Sequence, residues 1–380
     1  MEHSIVKCAV GALTLLVVGC SSHDILLATG SGGSGNGGSG NGAGSGGNFQ
    51  AVDSGGTANQ DQTTDSDAGA AGDTGAGGDA GSGGTGPSLP PVKGWVAYDT
   101  DLWDEEHAGR RIRLIAADGS CQRQLTAGFG LIEKEPAFSA DGTRLAFTAS
   151  GPDAPQIVVM DLASGDQAQV TSLAGGATHP TWSPDGKTVA FVTGDEEYDL
   201  NAANQVMQVD VESLETRVLT DVRKPRFTRP VFAGSDLLLV ASLTTIIGID
   251  LGTLAQHDLV PFTGRIPNPY SPSVGPDGER YVFGDLCSGF SLFIARTDGT
   301  TGDTCANAMP LARLVDPPST ASWGPTGYVA AETYKHNIVL VASDGSDDVR
   351  MLVDTPEPVH NPAFAPGSAR LSCQPNPPRP

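Results

Sequence analysis

Long apolar runs are missing from this 380-residue chain. None reaches the length at which a helix crosses a bilayer. Clustered basic residues are missing too. Lys and Arg number 22 against 44 Asp and Glu, a formal net charge of −22. The electrostatic footprint of a nucleic-acid binder is therefore absent, and anionic phosphates would be repelled. No two of the six cysteines form a C-x-x-C pair, so a zinc or dithiol redox site has little support. There is no G-x-S-x-G elbow, no H-E-x-x-H and no P-loop. Between Gly30 and Pro90 there is no Lys or Arg and one aromatic, Phe49, whereas 22 of the 50 glycines fall there. Such a stretch buries too little apolar surface to offset its backbone entropy. It reads as a tether over residues 21–90. Residues 91–380 remain for one large folded domain.

The first twenty residues read as a targeting segment. Lys7 gives a short basic start, an apolar run follows from Cys8 to Gly19, and the run ends in Val17-Val18-Gly19-Cys20-Ser21. This ending resembles the bacterial lipobox; the alternative is an ordinary signal peptide with a chance cysteine. The resemblance implies a cleaved leader over residues 1–20 and lipidation at Cys20. Ser21 in the next position resembles the pattern for sorting to the outer membrane. The expectation is a cell-envelope protein held to the membrane by its anchor only, on the periplasmic or the surface face. Cys121, Cys287, Cys305 and Cys373 are then left in an oxidising compartment, where four cysteines allow three pairings.

The strongest internal signal is repetition. Glu135-Pro136-Ala137-Phe138-Ser139-Ala140-Asp141-Gly142 aligns with His179-Pro180-Thr181-Trp182-Ser183-Pro184-Asp185-Gly186. Each unit continues into an apolar strand, Arg144–Phe147 or Thr188–Phe191, and then into a second one ending in Asp161 or Asp210. Weaker copies begin at Arg229-Pro230, Ser271-Pro272, Thr320-Ala321 and Asn361-Pro362. The proline slots are spaced by 44, 50, 42, 49 and 41 residues, the size of a four-stranded propeller blade. Pro suits an innermost strand, where a missing N–H matters least. The aromatic two residues later fills the wedge between blades, and Asp-Gly supplies the left-handed turn of a tight hairpin. One blade cannot cover both of its faces, so the units must stack and close into a ring. The first folded stretch, from Gly94, has no inner-strand motif before it, and the motif at Pro362 has no blade after it. Six slots therefore predict an all-β, six-bladed propeller closed by pairing N-terminal with C-terminal strands.

The unit P-x-[WF]-S-x-D-G-x-x-[LV]-A-F resembles the WD40-like repeat of TolB-type periplasmic propellers over nearly all of residues 94–373. That resemblance implies partnership with envelope proteins. Similar propellers also front serine peptidases of the prolyl oligopeptidase type, but with the chain ending at Pro380 no hydrolase domain is expected. In this register Cys121 and Cys305 follow the third strands of blades 1 and 5. Cys287 follows a second strand, and Cys373 lies on the closing segment. The expected pairs are Cys287–Cys305 and Cys121–Cys373.

The residues just before the inner strands, Glu135, His179, Arg229, Ser271, Thr320 and Asn361, are the candidate binding face. Their variety predicts an asymmetric mouth. His179, His336 and His360 fall near that face. Without a repeated ligand spacing they read as tolerated polar residues at a channel rim, and no metal is expected. Two acidic stretches, Asp99–Glu106 and Asp195–Asp199, read as solvated loops, with Ca²⁺ as the sharper alternative. No catalytic residue and no cofactor is expected. The leading reading is a non-catalytic, monomeric binding module for an envelope protein, peptide or polymer. Its alternatives are a polysaccharide lyase or hydrolase at the channel mouth and a purely structural surface lipoprotein.

Overall fold

Short apolar strands separated by tight turns build the described residues as β-structure. The computed structural model describes residues 92–374, apart from 104–107, 127, 195–203, 222–226, 243–244, 260–269, 286–290, 301–309, 315 and 317. Cys20, Cys287, Cys305, the leader, the tether and the stretch Asp195–Asp199 lie outside the described residues.

Six four-stranded units follow one another along the chain. Blade 1 orders β24 (Val359–Phe364), β1 (Trp95–Trp103), β2 (Ala108–Ala116) and β3 (Gln122–Gln124) from the axis outward. Blade 2 is β4 (Ile132–Phe138), β5 (Arg144–Ser150), β6 (Gln156–Asp161) and β7 (Gln167–Gln169). Blade 3 is β8 (Ala177–Trp182), β9 (Thr188–Thr193), β10 (Val206–Asp210) and β11 (Thr216–Val218). Blade 4 is β12 (Phe227–Ala233), β13 (Leu237–Ser242), β14 (Ile246–Asp250) and β15 (Gln256–Asp258). Blade 5 is β16 (Tyr270–Val274), β17 (Arg280–Asp285), β18 (Ser291–Arg296) and β19 (Pro310–Arg313). Blade 6 is β20 (Pro318–Trp323), β21 (Tyr328–Thr333), β22 (Ile338–Ala342) and β23 (Val349–Val353). Blades 3 to 6 are separate sheets. Blades 1 and 2 are formally one eight-stranded sheet, because the parallel bridge Arg110↔Ile132 joins β2 to β4.

The core lies between blades, as a ring requires. Six buried clusters each join two neighbours. Ala97, Ile112 and Leu114 of blade 1 meet Leu145, Phe147 and Val158 of blade 2. Ile157 and Val170 of blade 2 meet Trp182, Val189 and Phe191 of blade 3. The pattern repeats around the ring and ends where Ala330, Ile338 and Leu340 of blade 6 meet Val96, Tyr98 and Phe364 of blade 1. The repeat aromatics are the wedges. Trp182 reaches back to donate its indole N–H to the Ala137 carbonyl at 3.1 Å, and Arg144 lies over its ring at 4.5 Å. Phe364 sits so close to Gly324 that a Cβ there would approach its ring to 2.7 Å, which is why that slot has Gly.

The repeat turns are built alike. Ser139 donates to Asp141 at 2.6 Å, as Ser183 does to Asp185 at 2.6 Å. Gly142 and Gly186 then take φ of +71° and +68°, which glycine adopts without a Cβ penalty.

A covalent link reinforces the closure. Cys121 is bonded to Cys373, with Cα atoms 5.9 Å apart and a sequence separation of 252. Closing so long a loop stabilises a fold by roughly 4–5 kcal/mol in the chain-entropy picture. Reduction with dithiothreitol should therefore lower the melting temperature, on the order of 10 °C for a domain of this size. Coincident melts of oxidised and reduced protein would show that the bond adds nothing.

Candidate functional site

Each inner strand carries a register shift near its axial end: Lys134/Ala137, Thr178/Thr181, Thr228/Val231, Tyr270/Ser273, Pro318/Thr320 and, in blade 1, Ala97/Asp99 opposite β24. A bulge of this kind re-aims a side chain. At five of these bulges the residue before proline has a left-handed backbone: Glu135 (φ +59°), His179 (+55°), Arg229 (+46°), Ser271 (+37°) and Asn361 (+52°). Thr320, which precedes Ala321 rather than proline, is not among the positive-φ residues. Left-handed geometry at non-glycine residues costs roughly 1–2 kcal/mol each, so something must hold it.

Buried hydrogen-bond acceptors hold three of these bulges. Asp99 Oδ1, on β1 of blade 1, accepts the Glu135 N–H of blade 2 at 3.0 Å. Glu135 Oε2 accepts the His179 N–H of blade 3 at 2.8 Å. Glu332 Oε2, on β21 of blade 6, accepts the Asn361 N–H of blade 1 at 3.0 Å. Between blades 3 and 4 a neutral version appears. The Asn204 amide donates to the Phe227 carbonyl at 2.8 Å and accepts its N–H at 2.7 Å. Carboxylates thus rivet consecutive blades 6, 1, 2 and 3 together near the axis.

The six residues singled out by the repeat all line one cavity of about 330 Å³, together with Arg110, Thr228, Ser319, Glu332 and His360. Glu135, His179, Ser271, Thr320 and Asn361 are buried and Arg229 is half-buried. A second cavity of about 300 Å³ is lined by Glu135, His179, Arg229, Ser271 and Asn361 together with prolines and aromatics of the inner strands. The ring of axial residues is thus common to both spaces. Arg229 donates from Nη2 to Asn361 Oδ1, linking blade 4 to blade 1, and Asn361 Nδ2 donates to Asp99 Oδ1 at 2.8 Å.

The charges are strongly coupled. Burial works against ionisation of Glu135, but His179, Lys134 and Arg229 and the Thr148 hydrogen bond outweigh it and hold the carboxyl well below the usual range. Glu332 is likewise held low: burial opposes, but hydrogen bonds from His336 and His360 prevail. Burial lowers His360, yet its contacts with Asp101 and Glu332 push it up to about 9. Burial pushes Asp99 up, against Arg110 and His360.

The model of the TolB beta propeller domain matches residues 104–240. A TolB structure from Acinetobacter baumannii superposes with a TM-score of 0.58 at 19% identity, covering 72% of this chain and 67% of that one. The fold is a TolB-type β-propeller. The chain is also 29% identical over 126 residues to the Tol-Pal system protein TolB of Gluconobacter oxydans, covering 33% of this chain and 26% of that protein. It is 33% identical over 152 residues to the uncharacterized peptidase YuxL of Bacillus subtilis, covering 39% of this chain and 21% of that protein. The chain thus spans about a fifth to a quarter of the length of these relatives.

Two expectations need correction in this TolB-type propeller. Asp99 is not in a solvated loop. It lies within β1 at 0% exposure, 3.4 Å from Arg110 Nη1, and Asp101 accepts from Arg110 Nε at 2.7 Å. The described part of the run, residues 99–103, continues the strand, with Arg110 and Arg111 opposite on β2. The histidines are not simply rim residues either. His179 is buried, 3.4 Å from Glu135, and His360 is 2.9 Å from Glu332. Asp99, Glu332 and Arg110 are the site residues that the repeat did not reveal. Glu332 sits in the apolar strand Tyr328–Thr333, and a lone carboxylate in such a strand was the available signal.

Proposed function

We propose that this protein is a non-catalytic binding module of the cell envelope, anchored at Cys20 and separated from the membrane by the 21–90 tether. Its propeller would take a short segment of an envelope protein or peptide at the axial mouth. One observation carries this reading: six different residues from six blades converge on a single polar cavity. The cavity admits side chains or a chain end, not a globular surface. Of the lining arginines, Arg110 is paired with Asp99 and Asp101, whereas the half-buried Arg229 is hydrogen-bonded to the neutral Asn361, so Arg229 is the arginine best placed to meet a ligand. A segment presenting a carboxylate therefore fits. The TolB structure supports the same architecture, and the Tol-Pal name of the Gluconobacter relative suits an envelope setting.

Full-length wild type and Arg229→Glu should be compared in pull-downs from envelope extracts, with recoveries quantified. Loss of one or more specific partners by at least tenfold is expected, measured well below the variant's own melting temperature, which loss of the Asn361 hydrogen bond and of the positive field at Glu135 should lower. Equal recovery of every partner would argue against this face.

A further inference from the structure

We propose that Glu332, His336 and His360 form a binding site for a divalent transition-metal ion, zinc in the first instance, at the seam between blades 6 and 1. This inference is independent of the peptide reading, since a metal is counted without any partner.

The three residues come from separate places in the fold. Glu332 lies on β21, His336 in the turn that follows it, and His360 on β24, 28 residues from Glu332. Each offers one ligand atom, and the three atoms lie within 4.8 Å of one another. Glu332 Oε1 is 2.9 Å from His360 Nδ1 and 3.4 Å from His336 Nδ1. Ligands about 2.0–2.1 Å from a tetrahedral zinc stand roughly 3.3 Å apart, so two edges of the triangle are near bonding size. The rings meet edge to face with centroids 4.6 Å apart.

The surroundings orient these atoms. Glu332 Oε2 is occupied by Thr320 Oγ1 at 2.9 Å and the Asn361 N–H at 3.0 Å. The carboxylate is therefore fixed, with Oε1 turned towards both imidazoles. Behind His360, Nε2 is 3.8 Å from Asp101 Oδ2. A carboxylate behind a ligating histidine sets its tautomer and raises its basicity. His336 is held with φ +58°. Its N–H donates to the Thr333 carbonyl at 2.8 Å, and its carbonyl accepts from Val359 at 3.2 Å. A left-handed histidine costs on the order of 1 kcal/mol or more, and here it brings a second imidazole to the same oxygen as the first.

Access and coordination number also fit. His336 is 29% exposed at its side chain, so an ion can enter from solvent. Glu332 and His360 line the axial cavity, so a fourth position would face that space and take water or a ligand oxygen. Two nitrogens and one carboxylate suit zinc or a neighbouring transition metal better than calcium, whose ligands are oxygens. The competing arrangement is a charged hydrogen-bond network with no affinity for metal.

The full-length protein, stripped with a chelator, should be titrated with ZnCl₂ by calorimetry and its metal content measured after gel filtration. Wild type should retain one zinc per chain, and His336→Ala and His360→Ala should each bind at least tenfold more weakly. Zinc should also raise the melting temperature of wild type and not of His336→Ala. No retained zinc, or equal retention by wild type and His336→Ala, would overturn the site, as would binding of Ca²⁺ in preference to Zn²⁺. His336 lies in a half-exposed turn, so that variant decides the matter if His360→Ala does not fold.

Discussion

A chain ended at Pro358 should fail to form a cooperative propeller. The removed segment holds β24, the innermost strand of blade 1, although blade 1 begins some 260 residues earlier in the sequence. Without β24, β1 keeps β2 on one side and exposes an unpaired edge at the axis, the feature that closed propellers exist to avoid. Val359 and Phe364 leave the cluster that joins blade 6 to blade 1. Asn361 is lost as a partner of Glu332, Asp99 and Arg229, and Cys121 loses Cys373. Removing a large buried aromatic alone costs about 3–5 kcal/mol. The combined loss reaches the whole stability of an ordinary domain, roughly 5–15 kcal/mol. Thermal melts by circular dichroism, with hydrogen exchange on β1 and β21, would read the effect. Full-length Cys373→Ser is the control that separates strand from disulfide, and it should still melt cooperatively. A truncated chain that melts cooperatively within a few degrees of this control would refute the closure.

Glu135→Ala should destabilise the fold by about 3–5 kcal/mol, the range for removing one partner from a buried ion-pair network. Glu135 lies where blades 2 and 3 meet the axis. Its carboxylate accepts from Thr148 Oγ1 at 2.7 Å and from the His179 N–H, and it is 3.6 Å from Lys134 Nζ and 3.4 Å from His179 Nε2. Arg229 adds a further positive field. In the alanine variant Lys134 and Arg229 lose the intervening negative charge, and the left-handed His179 loses the acceptor that holds it. Glu135→Gln keeps one carbonyl oxygen able to accept from both Thr148 Oγ1 and the His179 N–H, and should lose less. The pH dependence provides an independent check. The folded-state value of Glu135 is depressed, so its contribution is fully present above the unfolded value, roughly 4.3, and is lost as pH falls through the folded value. Wild type should therefore lose stability below about pH 4, and Glu135→Gln should lose less over the same acid range in parallel denaturant titrations. Identical slopes in the two proteins would show that Glu135 is not ionised against these partners.

Much of the architecture was legible in the residues. Pro136, Trp182 and Asp185-Gly186 each mark a place in a blade, because a missing N–H, a wedge-shaped void and a left-handed turn tolerate few residue types. Counting those marks gave six units and the return of the C-terminal strand to blade 1. The axial residues were legible by position, since each precedes an inner strand. Their state was not. Glu135, His179 and Asn361 stand next to prolines in polar surroundings, and nothing local says that they are buried with left-handed backbones. Asp99 and Asp101 likewise read as loop residues from the sequence, because charge density alone does not reveal an arginine pair on the facing strand.

The sequence by itself determined the repeat, the blade number and the ring closure, because local turn chemistry and strand periodicity act within a few residues. Only the tertiary structure decided which charges meet at the axis. Asp99, Glu135 and Glu332 each find their partner on the next blade, 36, 44 and 29 residues away, and His336 and His360 converge on one carboxylate oxygen from different blades. Such meetings depend on how the sheets close around the axis. A burial energy that follows from closure cannot be read along the chain.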